Sequence, residues 1–535
     1  MQLQGKKGYV VEAAFQSGAT HKDPYNDVDM DVVFHGPEGH AMRVPAFWAG
    51  DNLWKVRFSS SQEGLYTFET LCSRTEDPGL HRVKGNITVS RYEGDNPLAR
   101  HGRLRVSEEG THFQHEDGTP FFWLGDTWWM GLSQRCSWPE GFQALTRDRV
   151  EKGFNVVQII LGPYPDMDAW DVRGRSEGGF PFEEGFERIH VDHFDAADLK
   201  IGHLVRSGIV PCIVGMWGYY LPEIGVKRVQ RFWRYLAARY GAYPVVWCVC
   251  GEGIMPYYLS QNKEKDAETQ KRGWTEVMAY LREVDGHRNL ISIHPTRFGR
   301  EQVEDPGLMD FEMLQTGHGD LDSVGPTIEA VRKAVADEPR MPVVNSEVNY
   351  EGILGRAWQN VQRLCFYHSA LNGAAGYTYG ANGIWQMSTR QEPYGASPHG
   401  RCWGNTPWEE AAMLPGGRQV ALGGRFMANV PWWKLRVHSE WVVGGPKGDS
   451  CYEVLCVGIP GKLRMVYCPL CWDPPVLLFD SEEQEAFAHG VQAFYFDPCT
   501  GQETRLDPPG WNEKGEWTPL FPPQCHDWIL VVLKT

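Results

Sequence analysis

Apolar and polar positions alternate with two different rhythms along the chain. Up to about residue 95 the rhythm is close to every second residue. Stretches 30–35, 53–58 and 65–70 largely alternate apolar with polar side chains, and Gly- and Pro-containing turns separate them. No helix-length amphipathic pattern interrupts them, which predicts a small antiparallel β-sandwich over 1–95. From 96 to 434 short apolar runs alternate with longer helix-periodic stretches. Strands are expected at 121–126, 155–161, 210–216, 245–250, 290–294, 310–315, 342–345 and 376–379. Helices are expected at 145–152, 194–207, 226–240, 273–284, 328–336 and 358–372. Such alternation implies right-handed βαβ units and a parallel sheet. Eight strands over roughly 300 residues fit a closed (β/α)8 barrel better than an open sheet. Beyond 435 the β pattern returns at 452–457, 463–468 and 528–533, with Pro, Gly and Asp between, so a second sandwich is expected over 435–535. The fold class is α/β: a (β/α)8 TIM barrel flanked by N-terminal and C-terminal antiparallel β-sandwich domains.

Composition narrows the partners. A hydrophobic content of 42% and a charged content of 22% describe an ordinary globular chain. The net charge of -16 argues against nucleic acid and anionic membrane surfaces. No apolar run reaches the length of a membrane span, and no apolar signal core follows Lys6 and Lys7, so a cytoplasmic location is expected. The 22 Trp, 21 Tyr and 24 Phe suit either large cores or stacking on the C–H faces of sugars. The 13 Cys are scattered, and no dense disulfide framework is visible. Cys468 and Cys471 have CxxC spacing without a second pair, so two plain thiols are expected there. No GxSxG elbow, strand-borne GxGxxG, Walker loop or HExxH is present, and neither cofactor nor metal is expected.

The chemistry lies at the carboxyl ends of the expected strands, which in a barrel all open onto one face. Asp126, Trp128 and Trp129 follow the first strand, Asp166 and Asp168 the second, and Trp217 the third. Glu252 follows the fourth, His294 ends the fifth, and Gln315 and His318 follow the sixth. Glu347, Tyr350 and Glu351 follow the seventh, and Tyr379 and Trp385 the eighth. Glu252 and Glu347 each end a buried apolar run. Two carboxylates in one cup are what glycoside hydrolysis requires, one as acid and one as base or nucleophile. Asp126, Asp168, His294, Gln315, His318, Tyr350 and Tyr379 are candidate hydroxyl or carboxylate partners, and Trp128, Trp129, Trp217 and Trp385 candidate stacking platforms. Glu351 also lies beyond the seventh strand and is an alternative to Glu347.

Phe122-Trp123-Leu124-Gly125-Asp126-Thr127-Trp128-Trp129, the stretches 152–158 and 178–182, Trp217-Gly218, and the Glu-x-x-Tyr-Glu of 347–351 together resemble the apiosidase-like glycoside hydrolases. The segment around 54–58 is similar to the sandwich that often precedes such barrels. The resemblance covers roughly 1–435. It implies a retaining-type barrel glycosidase with carboxylates after strands four and seven, which fall on Glu252 and Glu347. Two positions depart from the pattern. Gly251 stands where many barrel glycosidases place an Asn that holds the sugar 2-hydroxyl. Glu252 stands where many apiosidase-like members have Asp, and a carboxyl displaced by one methylene counts against apiose.

The expectation is an exo-acting glycosidase for a small glycoside or oligosaccharide, with Glu252 as acid/base and Glu347 as nucleophile. Long aromatic loops at 164–182 and 379–403 would wall a pocket rather than leave a groove. The alternatives are a carbohydrate-binding protein on an inactive barrel, or a lyase or transglycosylase using the same cup. The sandwiches remain open as lids, sugar-binding modules or contacts within a homo-oligomer.

Overall fold

The computed structural model describes residues 1–535 except 40, 447, 449 and 471–473, with residue 38 described by its backbone alone. At its centre is an eight-stranded parallel sheet. Its strands are β1 (Trp123–Thr127), β2 (Val156–Ile160), β3 (Val210–Val214), β4 (Val246–Cys248), β5 (Ile291–Ser292), β6 (Glu312–Gln315), β7 (Val343–Glu347) and β8 (Gly376–Tyr379). They run in the order β5-β4-β3-β2-β1-β8-β7-β6. The seam between β5 and β6 has no ladder. The Asp310 N–H donates to the Ile291 carbonyl (2.9 Å), the Ile291 N–H to the Asp310 carboxylate (2.7 Å), and the Ser292 hydroxyl to the Phe311 carbonyl (2.7 Å). The sheet is thus a nearly closed TIM-type barrel, as its βα rhythm implied.

Helices α1 (Glu140–Lys152), α2 (Val191–Arg206), α3 (Val226–Tyr240), α4 (Lys263–Val284), α5 (Val324–Ala336), α6 (Gln359–Leu371) and α7 (Pro415–Ala428) belong to this unit. Between β5 and β6 the chain makes only 3-10 turns, at Gly299–Gln302 and Pro306–Leu308. Helix α4 begins ten residues before its expected start, because its first turns are polar on all sides and carry no apolar period. Helix α7 was not expected, since Gly416, Gly417, Gly423 and Gly424 lower helix propensity. The packing requires them. A Cβ on Gly423 would lie 2.4 Å from the Phe366 ring, and one on Gly416 would lie 2.4 Å from the Glu351 carboxylate.

A three-stranded sheet of Leu104–Val106, Phe113–His115 and Pro120–Phe121 closes the amino-terminal end of the barrel. There Phe113 packs on Trp123 and Phe311. Five-stranded and three-stranded sheets face each other over residues 2–90, around a core that includes Val32, Phe34, Trp54, Phe58 and Phe68. Arg57 of this sandwich donates to Asp198 of α2 and to the Arg239 carbonyl at the end of α3. Beyond the barrel a six-stranded and a three-stranded sheet form over residues 436–534. Arg363 of α6 grips Asp527 of that region through two nitrogens, which fixes the sheet to the barrel. Cys468 is buried in its strand, and Cys471 lies outside the described residues. Among the described residues no helix is long and apolar enough to cross a membrane.

Candidate active site

Glu347 is the last residue of β7 and only 5% exposed. The β6–β7 ladder shifts register between Leu314 and Gln315, so that Gln315 pairs directly with Glu347. Its side-chain amide donates to both carboxylates, at 3.0 Å to Oε1 of Glu252 and 3.0 Å to Oε1 of Glu347. These two oxygens therefore lie no more than twice 3.0 Å apart. The two N–H bonds of one amide diverge by about 120°, which places such acceptors about 5 Å from each other.

Glu252 stands four residues beyond β4 with φ +46°, a left-handed backbone that costs a non-glycine residue energy. Trp217, beyond β3, sets its position. Trp217 and Gly251 form a parallel bridge, and a Cβ on Gly251 would meet the Trp217 ring at 2.2 Å. The indole N–H of Trp217 donates to Oε2 of Glu252 at 3.2 Å. No side chain could project from position 251 without displacing that ring.

The two carboxyls sit in opposite electrostatic surroundings. Burial, then the Glu347 charge, push Glu252 up to about 8, and the bonds from Gln315 and Trp217 only partly oppose this. Burial also pushes Glu347 upward, but His294 and His318 outweigh it and hold the carboxyl well below the usual range. The His318 Nε2 lies 2.9 Å from Oε1 and the His294 Nε2 3.3 Å from Oε2. Tyr350 accepts the Trp129 indole N–H at 2.9 Å. Burial and the adjacent Glu347 charge raise its phenol far above the ordinary value, which keeps it a neutral donor. At neutral pH one carboxyl holds its proton and its neighbour is ionised. That division is what acid–nucleophile pairs need.

Above the pair lies a pocket of about 120 Å³. Trp129, Trp217, Tyr350 and Trp385 form aromatic walls, with the Tyr350 and Trp385 rings nearly parallel at 5.9 Å. Pro165, Asp166, Tyr258 and Trp403 also line the pocket. Asp166 has φ +57° and accepts the Tyr258 hydroxyl at 2.8 Å and the Trp403 indole N–H at 3.0 Å. These contacts tie together the loops after β2, β4 and β8.

Of the residues expected from sequence, Trp129, Trp217, Glu252, Gln315, His318, Glu347, Tyr350 and Trp385 converge on the pocket, with His294 buried beneath Glu347. Five others do not line it. Asp126 is wholly buried and accepts from Arg149 of α1 (2.6 Å) and from the Trp128 indole (2.7 Å). Trp128 packs edge-on against Phe142 of the same helix. Tyr379 donates to Glu351, which also accepts the Gly416 N–H, so both are spent on joining β8 to α7. Asp168 is exposed, and it is Asp166 two residues earlier that turns inward. For Asp126 and Tyr379 the cause is the two-residue period of a strand, which sends alternate side chains to the helices, whereas Asp168 and Glu351 lie beyond the ends of their strands. Tyr258 and Trp403 lie on loops and Ile353 opens a short 3-10 turn, and none of them carries a periodic signal. Among the described residues no three potential metal ligands of the pocket come within reach of one ion.

A carboxylate pair above a TIM-type barrel, one acid protonated and one ionised, defines a glycoside hydrolase site. The sequence agrees: residues 107–434, more than half of the chain, match the apiosidase-like catalytic domain, and the chain belongs to that family of glycosidases. Residues 7–73 match a domain of unknown function, DUF5060. No curated protein matches the chain. The fold is shared with a solved glycoside hydrolase at TM-score 0.66 and 20% identity, over 83% of this chain and 99% of that one. A family 5 glycoside hydrolase from Bacteroides vulgatus superposes at TM-score 0.65 and 21% identity, over 83% and 96%. A second Bacteroides vulgatus structure covers the whole of both chains at TM-score 0.71 and 17% identity.

Proposed function

We propose that this glycosidase is retaining and exo-acting, with Glu347 as nucleophile and Glu252 as acid/base. The observation that carries the reading is the single Gln315 amide bonded to both carboxylates, since an oxygen separation of about 5 Å suits attack by the enzyme itself. An inverting enzyme needs about 6.5–9.5 Å to admit water. Glu252 gives its proton to the glycosidic oxygen as that bond breaks, while the Glu347 carboxylate bonds to the anomeric carbon. Water then attacks this carbon, Glu252 takes the water's proton, and Glu347 leaves as carboxylate. Gln315, His294 and His318 keep Glu347 charged and aimed.

The loops that Asp166 ties together through Tyr258 and Trp403 support exo action, because joined loops around the pocket suit a terminal sugar better than a continuing polymer. Asp166 lines the pocket, and its carboxylate has the acceptor capacity to take a terminal sugar hydroxyl as well. Among the described residues no Lys or Arg lines the pocket, which favours a neutral sugar over a uronate. The twelve described cysteines are all free, which suits a reducing cytoplasm and a small glycoside taken up from outside. The test is a panel of nitrophenyl furanosides and pyranosides of both anomers with wild type, Glu252→Ala and Glu347→Ala, the first-formed anomer being read by NMR. Retention, with turnover lost in both variants, is expected. A first product of inverted configuration refutes the nucleophilic role of Glu347.

A further inference from the structure

A second cluster of reactive side chains lies outside the pocket, in the sheet that follows the barrel. Asp497 and Cys499 sit in the turn after strand Val491–Phe496, and His526 just precedes strand Trp528–Lys534. These strands are neighbours, with Phe496 opposite Ile529, and the pairing brings the turn against His526. A carboxylate oxygen, the Sγ and an imidazole nitrogen all lie within 4.8 Å of one another.

The hydrogen bonds fix what His526 presents to this cluster. Its Nδ1 is 2.7 Å from the Asp527 carbonyl, which can only accept, so Nδ1 carries a proton. Its ring lies flat on Trp528, at 4.7 Å and 11°. Its Nε2 faces Oδ1 of Asp497, 3.7 Å away, and among the described residues this buried nitrogen has no hydrogen-bond partner. At this separation a carboxylate oxygen and an imidazole nitrogen are too far apart for a direct hydrogen bond and leave room for a cation between them. Asp497 is itself held for the purpose, Oδ1 by the Cys499 N–H (2.7 Å) and Oδ2 by the Thr500 hydroxyl (2.8 Å). A histidine whose second nitrogen donates to a backbone carbonyl is the usual posture of a metal ligand. Ligand bonds of about 2.0–2.2 Å around a tetrahedral ion separate nitrogen from oxygen by about 3.4 Å, close to what is found here.

We propose that Asp497, Cys499 and His526 bind one divalent ion of the zinc type, with water as the fourth ligand. A thiolate, an imidazole and a carboxylate select zinc over the hard cations magnesium and calcium. The ion would clip the 497–501 turn to the last strand beside Asp527, the residue that Arg363 of α6 grips. Its role is structural, at the joint between this sheet and the barrel, and it is independent of the proposed reaction.

The experiment uses the full metal-stripped chain. Cobalt(II) should bind one equivalent with tetrahedral d–d bands and a thiolate-to-cobalt charge-transfer band, zinc should displace it, and zinc should raise the melting temperature. Cys499→Ser and His526→Ala should each remove the band and the zinc-dependent rise. Asp497→Asn keeps an acceptor for the Cys499 N–H and guards against simple misfolding; it should weaken zinc at least about tenfold. A wild type without the band, a band that persists in Cys499→Ser, or an equal zinc effect in His526→Ala would overturn the proposal.

Discussion

The Trp217 ring occupies the space into which a side chain at Gly251 would project, and its indole N–H reaches Glu252 at 3.2 Å. The residue that differs from the usual barrel pattern is thereby tied to the acid it precedes. Gly251→Ala should force a Cβ into a ring 2.2 Å away. Overpacking of this kind costs about 1–3 kcal/mol, and a carboxyl displaced by about 1 Å loses about a hundredfold in rate. Calorimetry and kcat/KM measured on one preparation check both values. Unchanged kinetics in a folded Gly251→Ala would separate Trp217 from the positioning of Glu252.

Activity should fall as pH rises through about 8, where Glu252 loses its proton. The same shift has a stability consequence. Between its ordinary range and about 8 the folded protein holds a proton on Glu252 that the unfolded chain has released. This contribution is complete below the unfolded value and is lost as pH rises through about 8. Glu252→Gln should therefore melt with a weaker pH dependence than wild type between pH 6 and 9. Parallel melting curves against pH would contradict this.

His294 and His318 outweigh burial in keeping Glu347 ionised. His318→Ala should raise the Glu347 pKa, move the acid limb of the kcat/KM profile upward and reduce kcat by about a hundredfold. A lower kcat with an unmoved acid limb would assign His318 to substrate contact alone.

Asp126 and Arg149 form a buried pair at 2.6 Å, with neither side chain more than 1% exposed. Removing one partner of such a pair costs about 3–5 kcal/mol. Asp126→Ala should thus melt well below wild type, and whatever folds should retain a near-normal KM. A raised KM at unchanged stability would return Asp126 to the substrate.

The contrast between Asp126 and Asp166 shows what the sequence could and could not convey. The barrel was legible because runs such as 156–160 and 210–214 are largely apolar and buried on both faces, as strands covered by helices must be. Glu252 and Glu347 were legible because each interrupts such a run with a charge. Reading every polar strand end as part of the cup, however, overlooked the alternation that turns Asp126 and Tyr379 toward helices. The rest of the pocket lining was hidden for another reason. Asp166 meets Tyr258 and Trp403 across 92 and 237 residues, and no local pattern encodes a contact of that span.

The central claim is the division of protons between Glu252 and Glu347, and it can be measured without knowing the sugar. Carbon-13 NMR of the glutamate carboxyls, assigned with Glu252→Gln and Glu347→Gln, follows both groups through a pH titration. The account predicts Glu252 titrating near 8 in the wild type, and lower once Glu347→Gln removes the neighbouring charge, with Glu347 ionised down to strongly acidic pH. Glu252 titrating in the ordinary carboxylate range of about 4 to 5 in the wild type, or Glu347 as the member that holds the proton at neutral pH, would contradict it.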